Sequence, residues 1–397
     1  MEPDPPAGQR RTAPVQDGER AAVARRGRRP LAVLVLAAVV LVAVLAVVGL
    51  LVRDRGGGQP AFTGSLSAPR GGRDHRVTAW ITSTTRPLGP ALTSGALDEV
   101  DCDWYTIGAD GSVNAGPENL ALVRSARDHG LQTFATVTNR PGSSGSFEGS
   151  IAKAILTDTA VQRQAVSSLV DLAVSKGYDG IDVDFELVPA AQRDAFSGFM
   201  AELAAALHDQ HRLLSVAVFA KTSEPGRWDA QKSADYAALG KVVDELKVMT
   251  YSYSGPWGDP GPQAPLAWTR DVLRFAQSVV PPQKVYMGLP FYGFDWHGGK
   301  VTALHAAEAA ALVEGHHFKV DHNAASGEAD LSYVDPQGVT HVLWFQDRHA
   351  IATKVAVLQD EFPKLGGLSI WELRDEDPGF WPIIETGLGG STATSGP

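Results

Sequence analysis

Short apolar stretches suited to strands alternate along the chain with longer stretches whose apolar residues recur at helical spacing. The strand-like stretches cover residues 77–83, 103–108, 132–137, 178–186, 213–219, 245–250, 284–290 and 366–371. Helical spacing predicts helices near 94–99 and over 118–129, 157–176, 189–210, 234–243, 265–279 and 380–386, with Gly130 and Gly177 as stop signals. Eight strands with helices between them is the count of a (β/α)8 (TIM) barrel, an α/β fold. A doubly wound open sheet usually carries a Gly-rich phosphate loop after its first strand, and none is present here.

One segment breaks the alternation. Residues 298–349 follow the seventh strand and read as a helix at 303–313 with short strands at 318–321, 330–334 and 340–345. The turn Asp335-Pro336-Gln337-Gly338 joins the last two. We expect a small α+β insertion on the active face of the barrel.

At the other end of the chain the pattern is uniform. Residues 31–52 form an uninterrupted run of 22 apolar residues. As a helix it is about 33 Å long, enough for a bilayer core. Arg25, Arg26, Arg28 and Arg29 precede it. This bias places the N-terminus in the cytoplasm and the rest outside. A cleaved signal peptide, releasing a secreted protein, is the competing reading. Its apolar core is usually ~7–15 residues and ends at a small-residue site, which this run does not. The expected organisation is a disordered cytoplasmic stretch over 1–30, a single-pass transmembrane anchor over 31–52, a flexible linker over 53–74, the barrel over 75–386 and a disordered tail over 387–397.

Composition narrows the partners. The formal net charge is −10, with about +4 in residues 1–55 and −14 in the remainder. An acidic body lacks the basic footprint that nucleic acid requires. Cys102 is the single cysteine, so no internal disulfide can form; beside Trp104 and Tyr105 it reads as a buried small hydrophobe. No metal or cofactor is expected: His316 and His317 are adjacent and diverge, and the other histidines are scattered. A monomer is expected.

The fourth strand carries the chemistry. In Tyr178-Asp179-Gly180-Ile181-Asp182-Val183-Asp184-Phe185-Glu186 the side chains alternate between faces. Asp182, Asp184 and Glu186 therefore share one face, spaced ~6.6 Å apart. That is inside the ~8 Å screening length of physiological salt. Shielded from water, at least one of the three is driven towards its protonated form, which acid-assisted bond cleavage requires. On the edge of an open sheet the same pattern is merely a solvated polar face. In a buried parallel sheet three inward acids need a functional reason.

The sequence Asp179-Gly180-x-Asp182-x-Asp184-x-Glu186 resembles the signature of family 18 glycoside hydrolases, the chitinase-like enzymes. The resemblance extends over about residues 75–385: Met249-Thr250-Tyr251, Met287-Gly288-Leu289-Pro290-Phe291-Tyr292-Gly293 and Trp371 all look like family segments. The stretch around His341-Val342-Leu343-Trp344-Phe345-Gln346-Asp347 looks like the bacterial branch with spore-cortex and cell-wall enzymes. The resemblance implies a glycosidase acting on β-1,4-linked, N-acetylglucosamine-containing polysaccharide such as chitin oligomers or peptidoglycan, by a retaining, substrate-assisted route. It assigns Glu186 as acid and base, Asp184 to the acetamido N–H, Asp182 to tuning Asp184 by a shared proton or hydrogen bond, and Tyr251 to the acetamido carbonyl. Trp371 would form the floor under the reacting sugar, with Tyr292, Met249 and Asp179 as further substrate-binding residues. Ser252 departs from the family, where Asp commonly follows the tyrosine. A non-catalytic sugar-binding relative would typically lack the glutamate, which is present here.

Overall fold

The computed structural model describes residues 64–142 and 145–389. The expected anchor over 31–52, the stretch before it, the first half of the linker and the tail beyond 389 lie outside the described residues. Among the described residues no helix is long and apolar enough to cross a membrane.

Eight parallel strands close into a barrel. In chain order they are Arg76–Ile81, Glu99–Ile107, Gln132–Thr138, Gly180–Asp184, Leu213–Phe219, Glu245–Met249, Val285–Pro290 and Gly367–Trp371, and the first pairs with both the second and the eighth. Helices cover the outside. Every residue of strands one, three and four is buried, as expected of a parallel sheet covered on both faces.

The differences from the sequence expectations have local causes. The helix expected at 94–99 lies earlier, at Gly89–Ser94, because Pro90 suits a first turn and Gly95, at φ 73°, ends it in the left-handed conformation. Strand two starts at Glu99 rather than 103. Its first polar residues, Glu99 and Asp101, face Lys247 inside the barrel instead of solvent. A helix not expected from the sequence, Gly149–Thr157, precedes the expected long one, which runs over Thr159–Lys176. Asp158 between them accepts from the backbone N–H groups of Ala160 and Val161 and caps the second.

The insertion begins at Tyr292, not 298. It is a five-stranded antiparallel sheet in which Tyr292–His297 lies between Lys300–His305 and Thr340–Phe345, followed outward by Ala329–Val334 and Asp321–His322. The strand Tyr292–His297 follows strand seven after the single residue Phe291, so the sequence runs the two together and hides the hairpin. One helix, Ala306–His316, packs on this sheet over the small cluster of Ala309, Ala329, Leu331, Leu343 and Phe345.

The last part of the expected linker is not free chain. Arg73 forms a fully buried ion pair with Asp98 at 2.6 Å, the backbone N–H of Arg70 donates to the same carboxylate, and that of Ser67 donates to Gln132. These partners stand at the starts of strands two and three, so residues 67–73 are fastened to the N-terminal end of the barrel. At the other terminus Leu388 is buried, which carries the folded body past 386.

Candidate active site

The barrel interior carries a layer of charge below the active face. Lys247, fully buried, lies 2.7 Å from Asp101, 3.0 Å from Glu99, 3.3 Å from Glu245 and 3.9 Å from Asp182. Arg76 adds a second cation, 2.7 Å from Glu99. Burial alone would lower the Lys247 ammonium, but the surrounding carboxylates outweigh it and raise its pKa. Burial also pushes Asp101 well up and Glu245 to about 7.

Asp182 is tied into this layer. Its Oδ2 accepts from Trp80 Nε1 at 2.8 Å and Thr136 Oγ1 at 3.0 Å, and Ser215 donates to its Oδ1. None of its bonds goes to Asp184, so the hydrogen bond expected between the two carboxyls is not formed here. Asp182 instead fixes Trp80, whose ring meets Trp371 edge-on at 5.7 Å.

Asp184 differs. Its side chain is buried, and its Oδ1 has no hydrogen-bond partner. Burial, then the charges of Glu186, Asp103 and Asp182, hold its carboxyl well above the usual range. Glu186 follows the strand and is half-buried at the cleft. Burial pushes its carboxyl up to about 7, Asp103 adds to this and Arg140 opposes it. A carboxyl poised near neutrality can both give and take a proton.

The backbone of Glu186 is held by a residue that sequence reasoning missed. Asn139, fully buried at the end of strand three, donates from Nδ2 to the Glu186 carbonyl at 2.8 Å and accepts at Oδ1 from the Glu186 N–H at 2.9 Å. Its only sequence signal is a lone Asn at the C-terminal end of a barrel strand.

Two connected spaces meet at Glu186. The smaller, about 260 Å³, is lined by Trp80, Arg140, Asp184, Tyr251, Tyr292 and Trp371 among others. The larger, about 1020 Å³, runs past Phe219, Trp228, Tyr253, Trp257 and Trp268. Glu186, Met249, Tyr251 and Ser252 line both. Burial, with the neighbouring Tyr292, Asp184 and Glu186, raises the Tyr251 hydroxyl well above its ordinary pKa and keeps it a donor. Ser252 takes a left-handed φ of 58°, and its hydroxyl meets the Tyr292 hydroxyl at 2.6 Å. Of the residues expected at the substrate, Asp184, Glu186, Met249, Tyr251, Tyr292 and Trp371 converge on the small pocket. Asp182 lies beneath it, joined through Trp80.

Asp179 is a correction: its carboxylate accepts from the Thr133 backbone N–H at 2.7 Å, at the start of strand four and away from the cleft. A second correction concerns the histidines. His297 and His341, far apart in sequence, are register partners in the insertion sheet and share Asp295.

The family model of glycosyl hydrolases family 18 matches residues 118–377. The chain belongs to this family. It is a family 18 glycosidase, and its relatives include cortex-lytic enzymes as well as chitinases. It is 31% identical, over 73% of its length and 85% of the other chain, to the uncharacterized glycosylase YvbX of Bacillus subtilis. Its fold resembles that of a chitinase from Chromobacterium violaceum, with a TM-score of 0.74 and 31% identity over 79% of this chain and 99% of the other. It also resembles the spore cortex-lytic enzyme SleL of Bacillus cereus, with a TM-score of 0.72 and 25% identity over 79% of this chain and 74% of the other. Glu186, Tyr251 and Trp371 all fall inside the segment that the family 18 model matches.

Proposed function

We propose that this family 18 enzyme hydrolyses β-1,4 bonds on the reducing side of N-acetylhexosamine residues, with the substrate's acetamido group as the nucleophile. The observation that carries this reading is the pair formed by Glu186, poised near neutrality, and Asp184, buried with an unpartnered oxygen in the same small pocket. A sugar seated over Trp371 would direct its acetamido N–H to Asp184 Oδ1 and its carbonyl towards Tyr251. Glu186 gives its proton to the glycosidic oxygen as the bond from that oxygen to the anomeric carbon breaks. The acetamido oxygen forms the new bond to that carbon, giving an oxazolinium ion. Water then attacks the same carbon and passes its proton to the Glu186 carboxylate, and the acetamido carbon–oxygen bond to the ring opens. Configuration is retained after two inversions.

The glycans that fit are chitin oligomers and peptidoglycan strands. Names among the relatives point to both, one to a spore cortex-lytic enzyme and one to a chitinase. The apolar run over 31–52, with arginines before it, supports a membrane-anchored enzyme outside the cytoplasm, placed to act on the cell's own wall. The mechanism is tested with matched chromogenic substrates bearing acetamido or hydroxyl at the 2-position. The first should be cleaved and the second ignored; rapid cleavage of both would overturn the acetamido mechanism. Mass spectrometry of purified peptidoglycan and chitin digests identifies the glycan.

A further inference from the structure

The insertion carries a group of side chains that the cleavage chemistry does not use. Asp295 and His297 lie on strand Tyr292–His297, and His341 lies on the neighbouring strand in register with His297. Alternation puts Asp295 and His297 on one face of their strand, and Tyr292, Phe294 and Trp296 on the other. One ligand atom from each of the three residues lies within 4.8 Å of the other two.

Their arrangement is poorly explained as ordinary hydrogen bonding. His341 Nδ1 approaches Asp295 Oδ2 at 2.7 Å, and His297 Nδ1 approaches the same oxygen at 3.3 Å. His297 Nδ1 is also 3.3 Å from the Asp295 carbonyl oxygen. Both imidazoles crowd one carboxylate oxygen while the other, Oδ1, is buried without a partner. Two rings stacked 4.8 Å apart and 12° from parallel aim equivalent nitrogens at one point. The far nitrogen of His341, Nε2, lies 3.6 Å from Asp335. A carboxylate behind a histidine is the usual support of a metal-bound imidazole, since it fixes the tautomer that leaves the other nitrogen free to bind. Tyr333 stacks on the outer face of His341 at 4.6 Å and holds the ring in place. Lys300, in register with His297 on its other side, is exposed.

We propose that Asp295, His297 and His341 form a binding site for a divalent transition cation of the zinc type. Tetrahedral ligands at ~2.0–2.1 Å from zinc stand roughly 3.3 Å apart; here the two imidazole nitrogens lie 2.7 and 3.3 Å from Asp295 Oδ2 and all three ligand atoms lie within 4.8 Å of one another, so small side-chain shifts would seat the ion. Two imidazoles and one carboxylate suit zinc, copper or nickel better than calcium or magnesium, which prefer oxygen ligands. Three protein ligands leave a fourth position for water. The cation would join two strands of a lobe whose apolar core is five buried residues, and one of those strands begins with the cleft residue Tyr292.

The test is calorimetric titration of chelator-treated protein with zinc chloride at neutral pH, alongside cobalt(II) absorption. Wild type should bind one zinc and give the intense visible bands of four-coordinate cobalt. His341→Gln and Asp295→Asn should each abolish the cobalt bands and weaken zinc binding by at least ~100-fold, and Asp335→Asn by ~10-fold. Far-ultraviolet circular dichroism and glycosidase turnover confirm that the variants are folded. No saturable zinc binding to folded wild type, or binding unchanged in both His341→Gln and Asp295→Asn, would overturn the proposal.

Discussion

The side-chain amide of Asn139 clasps the peptide groups of Glu186, with Nδ2 on its carbonyl at 2.8 Å and Oδ1 on its N–H at 2.9 Å. The acid therefore takes its position from the end of the neighbouring strand as well as from its own. Asn139→Ala removes both contacts and should reduce kcat by ~10–100-fold through misplacement of the carboxyl. It should also lower stability by about 1–3 kcal/mol, because buried polar groups lose partners. Steady-state kinetics and a denaturant melt of the same variant read the two effects.

Glu186 sets the pH response. Its carboxyl is the proton donor below its pKa of about 7 and loses that role above it. kcat/KM should fall on the alkaline side with an apparent pKa near that value, provided the donor form limits the rate. Glu186→Gln should lower turnover by ~10²–10⁴ or more. The sign for stability follows from the raised value. Folding favours the protonated form, so this stabilisation is complete below the unfolded pKa and lost as pH rises through 7. Glu186→Gln should therefore be more stable than wild type above neutrality, by about 1–3 kcal/mol, and little changed in acid. Melting temperatures measured at acid and alkaline pH check this.

Tyr251 offers a hydroxyl that stays protonated across the working range. Tyr251→Phe should reduce kcat by ~10²–10³ with a smaller change in KM, the pattern of a lost transition-state donor. A fall in affinity alone would remove it from the reaction.

Lys247 lies close to four carboxylates beneath the site. Lys247→Met deletes that cation and leaves acids buried without it. Stability should drop by about 3–5 kcal/mol, measured by chemical denaturation.

The strand order and the acid-bearing strand were legible because apolar runs, glycine stops and the spacing of Asp182, Asp184 and Glu186 are local signals. The layer of Glu99, Asp101, Glu245 and Lys247 was not, because each looks like an ordinary surface charge until the barrel closes and brings them together. Asp179 misled for the opposite reason: it belongs to the same motif as Glu186, yet it stands at the other end of the strand. Asn139 and the His297–His341 pair depend on neighbours supplied by other strands, which a single sequence does not reveal.

The fastening of residues 67–73 to the starts of strands two and three gives the molecule a polarity. Residues 67–73 grip the barrel at the N-terminal end of its strands, and Glu186 stands at the opposite, C-terminal end. A pull on the chain ahead of residue 67 would load the Arg73–Asp98 pair before it reached the catalytic rim.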